Sequence, residues 1–222
     1  MILSVTIVLS LLYAILLILL LVGFSRTAGR LKSSAKADGV SVIVAFRNEA
    51  ANLQRLIDSF NAQVLSYELW EVIFVDDNST DGSAELISSA SKNFNFRLIK
   101  LSGIEGKKQA LIEGVRVAKF NFIAITDADC IVSATWLSDL AEHGDLALIQ
   151  RPVIVETQHS LVNMFEALDY ASLMAVSAGS FGLGRPVIAA SANLAFRKDL
   201  IDVNSESLRA EISSGDDMFL LH

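Results

Sequence analysis

The stretch Asn121-Phe122-Ile123-Ala124-Ile125-Thr126-Asp127-Ala128-Asp129-Cys130 decides how this chain is read. Phe122 to Ile125 is a short, apolar, partly β-branched run, the pattern of a buried strand. It stops at two carboxylates one residue apart, Asp127 and Asp129. Acidic groups at the carboxyl end of a buried strand are costly unless something offsets their charge. A divalent cation does so, because Mg²⁺ in phosphate-handling sites takes one or two carboxylates, waters and substrate phosphate oxygens. Open α/β sheets also bind ligands at the carboxyl ends of their strands. Taken alone, Asp-x-Asp is equally a solvated turn, or Asp129 a helix cap.

Working outward, the same pattern recurs upstream. Val40 to Ala45 reads as a strand ending at Phe46-Arg47-Asn48-Glu49. It is followed by a helix with Leu53, Leu56, Ile57 and Phe60 on one face. Glu71 to Val75 reads as a second strand, ending at Asp76-Asp77-Asn78-Ser79. Asp81-Gly82-Ser83 then opens a helix carrying Leu86, Ile87 and Ala90. Phe96 to Leu101 is a third strand. Gly106-Lys107-Lys108 opens a third helix with Ala110, Leu111, Gly114, Val115 and Ala118 facing inward. This β-α-β-α-β-α-β order predicts an α/β fold with a doubly wound, mostly parallel sheet. Downstream the pattern predicts a helix over 136–141, a long strand over 146–155 and a helix over 161–176. A mobile Gly-rich loop over 179–184 and a strand over 187–196 complete it.

The polar clusters 46–49, 76–79 and 127–129 all follow parallel strands of one sheet, so they should meet along one edge. Asp76 or Asp77 can accept a hydrogen bond from a base N–H. Lys107 and the helix N-terminus it opens can face phosphate. Turn residues and a solvated lysine are the plainer readings of Asp77 and Lys107.

Residues 1–24 carry no charge and are nearly all apolar, enough to span a bilayer as one transmembrane helix. A cleaved signal peptide wants a basic start and a shorter apolar core, and this stretch has neither. Arg26, Arg30, Lys32 and Lys36 follow in a basic linker, 25–39, which places everything after it in the cytoplasm. Residues 1–39 carry +3, so the net charge of -7 leaves -10 on the rest of the chain, and an acidic body argues against a nucleic-acid partner. The single cysteine, Cys130, can make no internal disulfide and is read as a packing residue.

The ordered set Ser-Val-Ile-Val-Ala-Phe-Arg-Asn-Glu (41–49), Val-Asp-Asp-Asn-Ser-Thr-Asp-Gly-Ser (75–83), Gly-Lys-Lys-Gln-Ala-Leu (106–111), Thr-Asp-Ala-Asp-Cys (126–130) and Gly-Asp-Asp-Met-Phe-Leu-Leu (215–221) resembles family 2 glycosyltransferases of the membrane-anchored bacterial type. The resemblance implies a GT-A domain over 40–222. It also implies an inverting transfer of a sugar from a nucleotide-diphospho-sugar to a glycan or lipid-linked acceptor hydroxyl, at the cytoplasmic face of the cell membrane. It implies that Ala45, Arg47, Glu49, Asp76 and Asp77 hold the nucleoside and that Lys107 lies by the nucleotide. Asp127 and Asp129 would bridge ribose and metal-diphosphate, with Mg²⁺ or Mn²⁺ as the metal. Asn193, in Ala192-Asn193-Leu194-Ala195-Phe196-Arg197, would lie on the acceptor-side strand, and Asp217 would be the general base.

The sequence departs from the family pattern at Ile112, where an Asn is usual. No Gln-x-x-Arg-Trp follows Asp217 before His222, so the resemblance implies a truncated C-terminal part.

The chemistry suits these residues on their own account. A carboxylate such as Asp217 can take the acceptor proton, and a metal can stabilise the departing diphosphate. Asp216 or Asp217 is alternatively a helix N-cap. Two rival functions are a sugar-nucleotide nucleotidyltransferase, which usually has glycines near the first strand, and a non-catalytic membrane-tethered binding module. Asp-Asp after Gly also occurs in polymerase palms, a reading the acidic body disfavours.

Overall fold

The computed structural model describes residues 2–27, 35–102, 106–156 and 160–200. Asp217, expected as the general base, lies outside the described residues. The chain divides into two compact units. Among the described residues, one is a sheet unit of 35–102, 106–151 and 190–200; the other is a helical unit of 2–27, 152–156 and 160–189.

The sheet unit has six strands: β1 (Val40–Phe46), β2 (Trp70–Asp76), β3 (Asn95–Lys100), β4 (Phe122–Ile125), β5 (Leu148–Gln150) and β6 (Leu194–Arg197). Their order is β3-β2-β1-β4-β6-β5. β1 pairs parallel with β2 and β4, and β2 with β3; β6 runs antiparallel to both β4 and β5. The chain runs outward from β1 through β2 to β3 and then returns to β4 on the other side of β1. The loops after β1 and β4 therefore diverge, which opens a crevice at that point of the sheet.

Alternation along the strands feeds two apolar layers. Val40, Val42 and Val44 of β1 and Val72 and Phe74 of β2 pack with α2 (Leu53–Asn61), α3 (Ser83–Ser89) and α5 (Trp136–Ala141). Ile43, Ile73 and Val75 pack instead with α4 (Lys107–Val117) and with Ile123 and Ile125 of β4. β1, β2 and β4 are buried on both faces, so they read as continuous apolar runs. Phe60 centres the first layer, with ring centroids 6.2 Å from Trp70, 5.8 Å from Phe94 and 6.4 Å from Trp136. The amino end of β2 carries a buried acid, Glu71. It accepts from Ser41 Oγ (2.8 Å), the Lys119 N–H (2.6 Å) and Arg97 Nη2 (2.8 Å).

The helical unit contains α1 (Ile2–Thr27) and α6 (Leu161–Gly182), packed together through glycines. Among the described residues α1 is the one helix long and apolar enough to cross a membrane.

Three expectations are corrected. The strand expected over 146–155 is only Leu148–Gln150, and the one expected over 187–196 is only Leu194–Arg197. Each is the other's partner, and both stop where Ser191–Asn193 coils into a single 3-10 turn and Pro152 follows without an N–H to give. Residues 187 and 188 bond instead to serines of α6: Ser177 Oγ donates to Ile188 O at 2.7 Å, and Val187 N to Ser180 Oγ at 3.2 Å. The loop expected over 179–184 is helical as far as Gly182. Gly179 lies so close to α1 that a Cβ there would sit 2.7 Å from the Leu20 carbonyl oxygen. These glycines permit close helix approach, not a mobile turn.

Candidate active site

The loops after β1 and β2 are tied to each other mainly by backbone amides on side-chain oxygens. Asn48 N donates to Ser79 Oγ (3.0 Å), Glu49 N to Ser83 Oγ (2.9 Å), and Ala50 N to Asp81 Oδ2 (3.0 Å). Thr80 N donates back to Asn48 Oδ1 (2.8 Å). The frame needs two left-handed residues, Asn48 (φ 57°) and Asn78 (φ 60°). Asparagine tolerates that region because its short amide bonds locally. The Ser83 hydroxyl and the Ala50 N–H together hold the Asp81 carboxyl below its ordinary value.

Beside this frame lies a cavity of about 280 Å³ lined by Ala45, Phe46, Arg47, Glu49, Asp77, Lys107, Asp127, Ala128 and Asp129. The fold thus brings seven of the sequence-derived candidates onto one wall: Ala45, Arg47, Glu49, Asp77, Lys107, Asp127 and Asp129. Asp77 Oδ1 accepts from Gly106 N at 3.1 Å, and its Oδ2 faces Arg47 Nη1 at 3.7 Å. Lys107 Nζ lies 2.8 Å from Asp127 Oδ1. Glu49 Oε2 accepts from Asn52 Nδ2 (2.8 Å) at the start of α2.

Two candidates are not on the wall. Asp76 is buried; its Oδ1 accepts from Ser79 N at 2.8 Å, while Oδ2 has no hydrogen-bond partner among the described residues. Asn193 turns its Oδ1 to Trp136 Nε1 at 2.9 Å. One residue that the sequence did not single out joins the site. Ser191 is buried, its Oγ 2.9 Å from Lys107 Nζ and 3.4 Å from Asp127 Oδ1. No local pattern marks it, because the contact spans 84 residues of sequence.

For a metal, the donor set is small. The described residues contain no group of three or more His, Cys, Asp or Glu able to hold an ion alone. Asp129 is exposed, and its only polar side-chain contact among the described residues is Cys130 Sγ at 3.9 Å. One open carboxylate and a second beside it fit a Mg²⁺- or Mn²⁺-type ion that takes its other ligands from water and a diphosphate. Burial, with the negative charge of Asp127 next, pushes the Cys130 thiol up, so it stays protonated near neutrality and packs.

Residues 41–146 match the family model for glycosyl transferase family 2. Over that segment the chain is similar to family 2 glycosyltransferases. A poly-beta-1,6-N-acetyl-D-glucosamine synthase of Staphylococcus epidermidis is 25% identical over 155 residues, covering 68% of this chain and 37% of the relative. The synthase of the same name from Staphylococcus aureus strain COL is 26% identical over 141 residues, 62% of this chain and 34% of the relative. The chain thus spans little more than a third of the length of these curated relatives. Among solved structures, the mannosyltransferase PcManGT from Pyrobaculum calidifontis, in complex with GDP-Man and Mn²⁺, superposes with a TM-score of 0.62. It is 21% identical, over 85% of this chain and 55% of that one. Staphylococcus aureus TarS 1–349 gives a TM-score of 0.62 at 18% identity, over 82% and 55%. At these identities the likeness establishes the fold alone, which is GT-A, as the resemblance in the sequence implies.

Proposed function

We propose that this chain binds a nucleotide-diphospho-sugar and transfers its sugar, with inversion, to a hydroxyl of a glycan or lipid-linked acceptor. The observation that carries the reading is the cavity at the sheet's carboxyl edge, where Asp77, Asp127 and Asp129 meet the cations Lys107 and Arg47. Ala45, Arg47, Glu49 and Asp77 line the nucleoside end. The Oδ2 of Asp76, one residue from that wall and without a partner among the described residues, is an acceptor that a base N–H would satisfy. Lys107 faces the diphosphate. Asp129, with Asp127, would hold a divalent cation, which supplies Lewis-acid stabilisation of the leaving diphosphate. Asp217 takes the acceptor proton as general base, and Asn193 marks the acceptor side. The names of the curated relatives favour a polysaccharide product built from an acetylated amino sugar.

The GT-A domain of this reading runs over 40–222. Residues 1–24 anchor it and 25–39 form a basic linker, leaving the domain on the cytoplasmic face. The apolar helix α1, with Arg26 in its last turn, supports this topology. A cysteine introduced within 60–70 should resist labelling from outside intact cells.

The deciding experiment screens UDP- and GDP-sugars for protection against thermal unfolding, with and without Mg²⁺ or Mn²⁺. A ligand at a hundred times its Kd adds about 2.7 kcal/mol. Protection by a nucleotide sugar that chelator abolishes is the expected result. Absence of protection by every nucleotide sugar would remove the donor-binding reading.

A further inference from the structure

We propose that Ser191 is a positioning residue that holds Lys107 as the resident counter-cation of Asp127. On this view an arriving diphosphate takes the ammonium over and frees the carboxylate. The inference deepens the donor-site reading and rests on it.

The geometry is a closed triangle. Lys107 Nζ is 2.8 Å from Asp127 Oδ1 and 2.9 Å from Ser191 Oγ, and Ser191 Oγ is 3.4 Å from the same Asp127 oxygen. An ammonium has three N–H donors and no acceptor, so Ser191 can only receive from Lys107 and must turn its own proton elsewhere. Asp127 Oδ1 is the acceptor within reach. The serine hydroxyl thereby orients both partners of the ion pair.

Ser191 is fixed to do this. It is 2% exposed. It begins the 3-10 turn that leads into β6, and Thr126 Oγ1, at the end of β4, donates to Ala192 O at 3.1 Å. Trp136 Nε1 clamps the other end of the turn through Asn193 Oδ1. The mobile member of the triangle is the lysine, a flexible stem on the first turn of α4.

The pair is built to be exchanged. Its side chains are 34% and 30% exposed, and an ion pair open to water to that extent is weakly held. Three carboxylates, Asp77, Asp127 and Asp129, share the cavity wall. An anionic diphosphate would be repelled there unless a cation meets it. Lys107 meets it at the mouth of a helix whose N–H groups also favour anions. Once the ammonium leaves, the hydroxyl of Ser191 still points at Asp127 Oδ1 and keeps that carboxylate in place.

The test compares binding of UDP and GDP with binding of uridine and guanosine, by calorimetry, in wild type, Ser191→Ala, Lys107→Gln and the double variant. Ser191→Ala removes a hydrogen bond that the ammonium makes only in the free protein, so it should tighten diphosphate binding about fivefold, the worth of roughly one net hydrogen bond at a partly solvated site. It should leave nucleoside binding unchanged, and the gain should vanish in the Lys107→Gln background. Ser191→Thr, which keeps the hydroxyl, should restore the wild-type affinity. Weaker diphosphate binding, equal changes for nucleoside and diphosphate, or a Ser191 effect that persists without Lys107, would overturn the proposal. If Ser191→Ala does not fold, Lys107→Gln alone must lose diphosphate affinity selectively, or the exchange is wrong. Wild type that binds neither diphosphate nor nucleoside sinks the donor-site reading itself. Normal wild-type binding with no change in Ser191→Ala sinks only the role of Ser191.

Discussion

Strand β2 carries a buried acid near each end, and the two have opposite fates. Glu71, next to the amino end, receives a serine hydroxyl, a backbone N–H and an arginine. Asp76, at the carboxyl end, has one oxygen satisfied by Ser79 N and one left without a partner among the described residues. Both side chains cost desolvation. Glu71 is repaid inside the fold, whereas Asp76 keeps one oxygen without a partner among the described residues. The same division runs across the sheet. Acids at the carboxyl edge are under-satisfied or paired with cations that lean on the cavity, and the acid at the other edge is closed off. Incomplete satisfaction of a buried carboxylate is thus a better mark of a binding edge than acidity itself.

The comparison can be broken in several ways, and the largest effect is expected at the carboxyl edge. Asp129→Asn should lower transfer by about a thousandfold, the scale of losing electrostatic stabilisation of a leaving group, with the melting temperature unchanged. A normal metal requirement in that variant would take Asp129 out of the metal site. At the opposite edge, Glu71→Ala should cost about 3 kcal/mol of stability, because it strands a buried serine and an N–H and releases Arg97. Arg97 is about half exposed, so most of that cost comes from the first two. Nucleotide affinity of the folded fraction should not change, and denaturant titration with parallel binding data reads both. Asp76→Asn should do the reverse. Nucleotide affinity should fall about tenfold for one lost charge-assisted hydrogen bond, with unfolding free energy within about 0.5 kcal/mol of wild type. Should Asp76→Asn destabilise as much as Glu71→Ala, the contrast between the two ends of β2 is false.

The smallest effect concerns acid. The folded Asp81 carboxyl lies below its unfolded value. Its contribution is therefore fully present above the unfolded value, about pH 4, and is lost as pH falls through the folded one. Tightness of the 46–50 and 77–83 loops, followed by amide exchange, should decline below about pH 4 in wild type. It should show no such step in Asp81→Asn.

Much of this architecture is legible in the sequence where the signal is local. The bounds of β4 and α5 follow from apolar runs and their stops, and both agree with the structure. The meeting of the three polar clusters follows from parallel order alone. The lengths of β5 and β6 do not, because each strand ends where its partner does. Gly179 and Gly182 look like a loop until α1, far away in sequence, is seen lying against them. Ser191 sits in Ala-Ala-Ser-Ala-Asn with nothing to distinguish it, and only the fold sets it beside Lys107. Asp76 and Asp77 are indistinguishable as neighbours in sequence. Yet one lines the cavity with both oxygens engaged, and the other is buried with one oxygen spare.

The aromatic cluster around Phe60 gives the molecule an optical handle. Both tryptophans of the chain, Trp70 and Trp136, lie in it. Trp70 donates its indole N–H to Leu65 O at 3.1 Å, far from any candidate ligand contact, so its emission follows unfolding of that layer. Trp136 donates to Asn193 in the turn that carries Ser191, so its emission is sensitive to any shift of that turn. A Trp70→Phe protein would therefore be a single-chromophore sensor. Its spectrum would report any ligand that displaces that turn, and it would stay still for ligands that leave the turn in place.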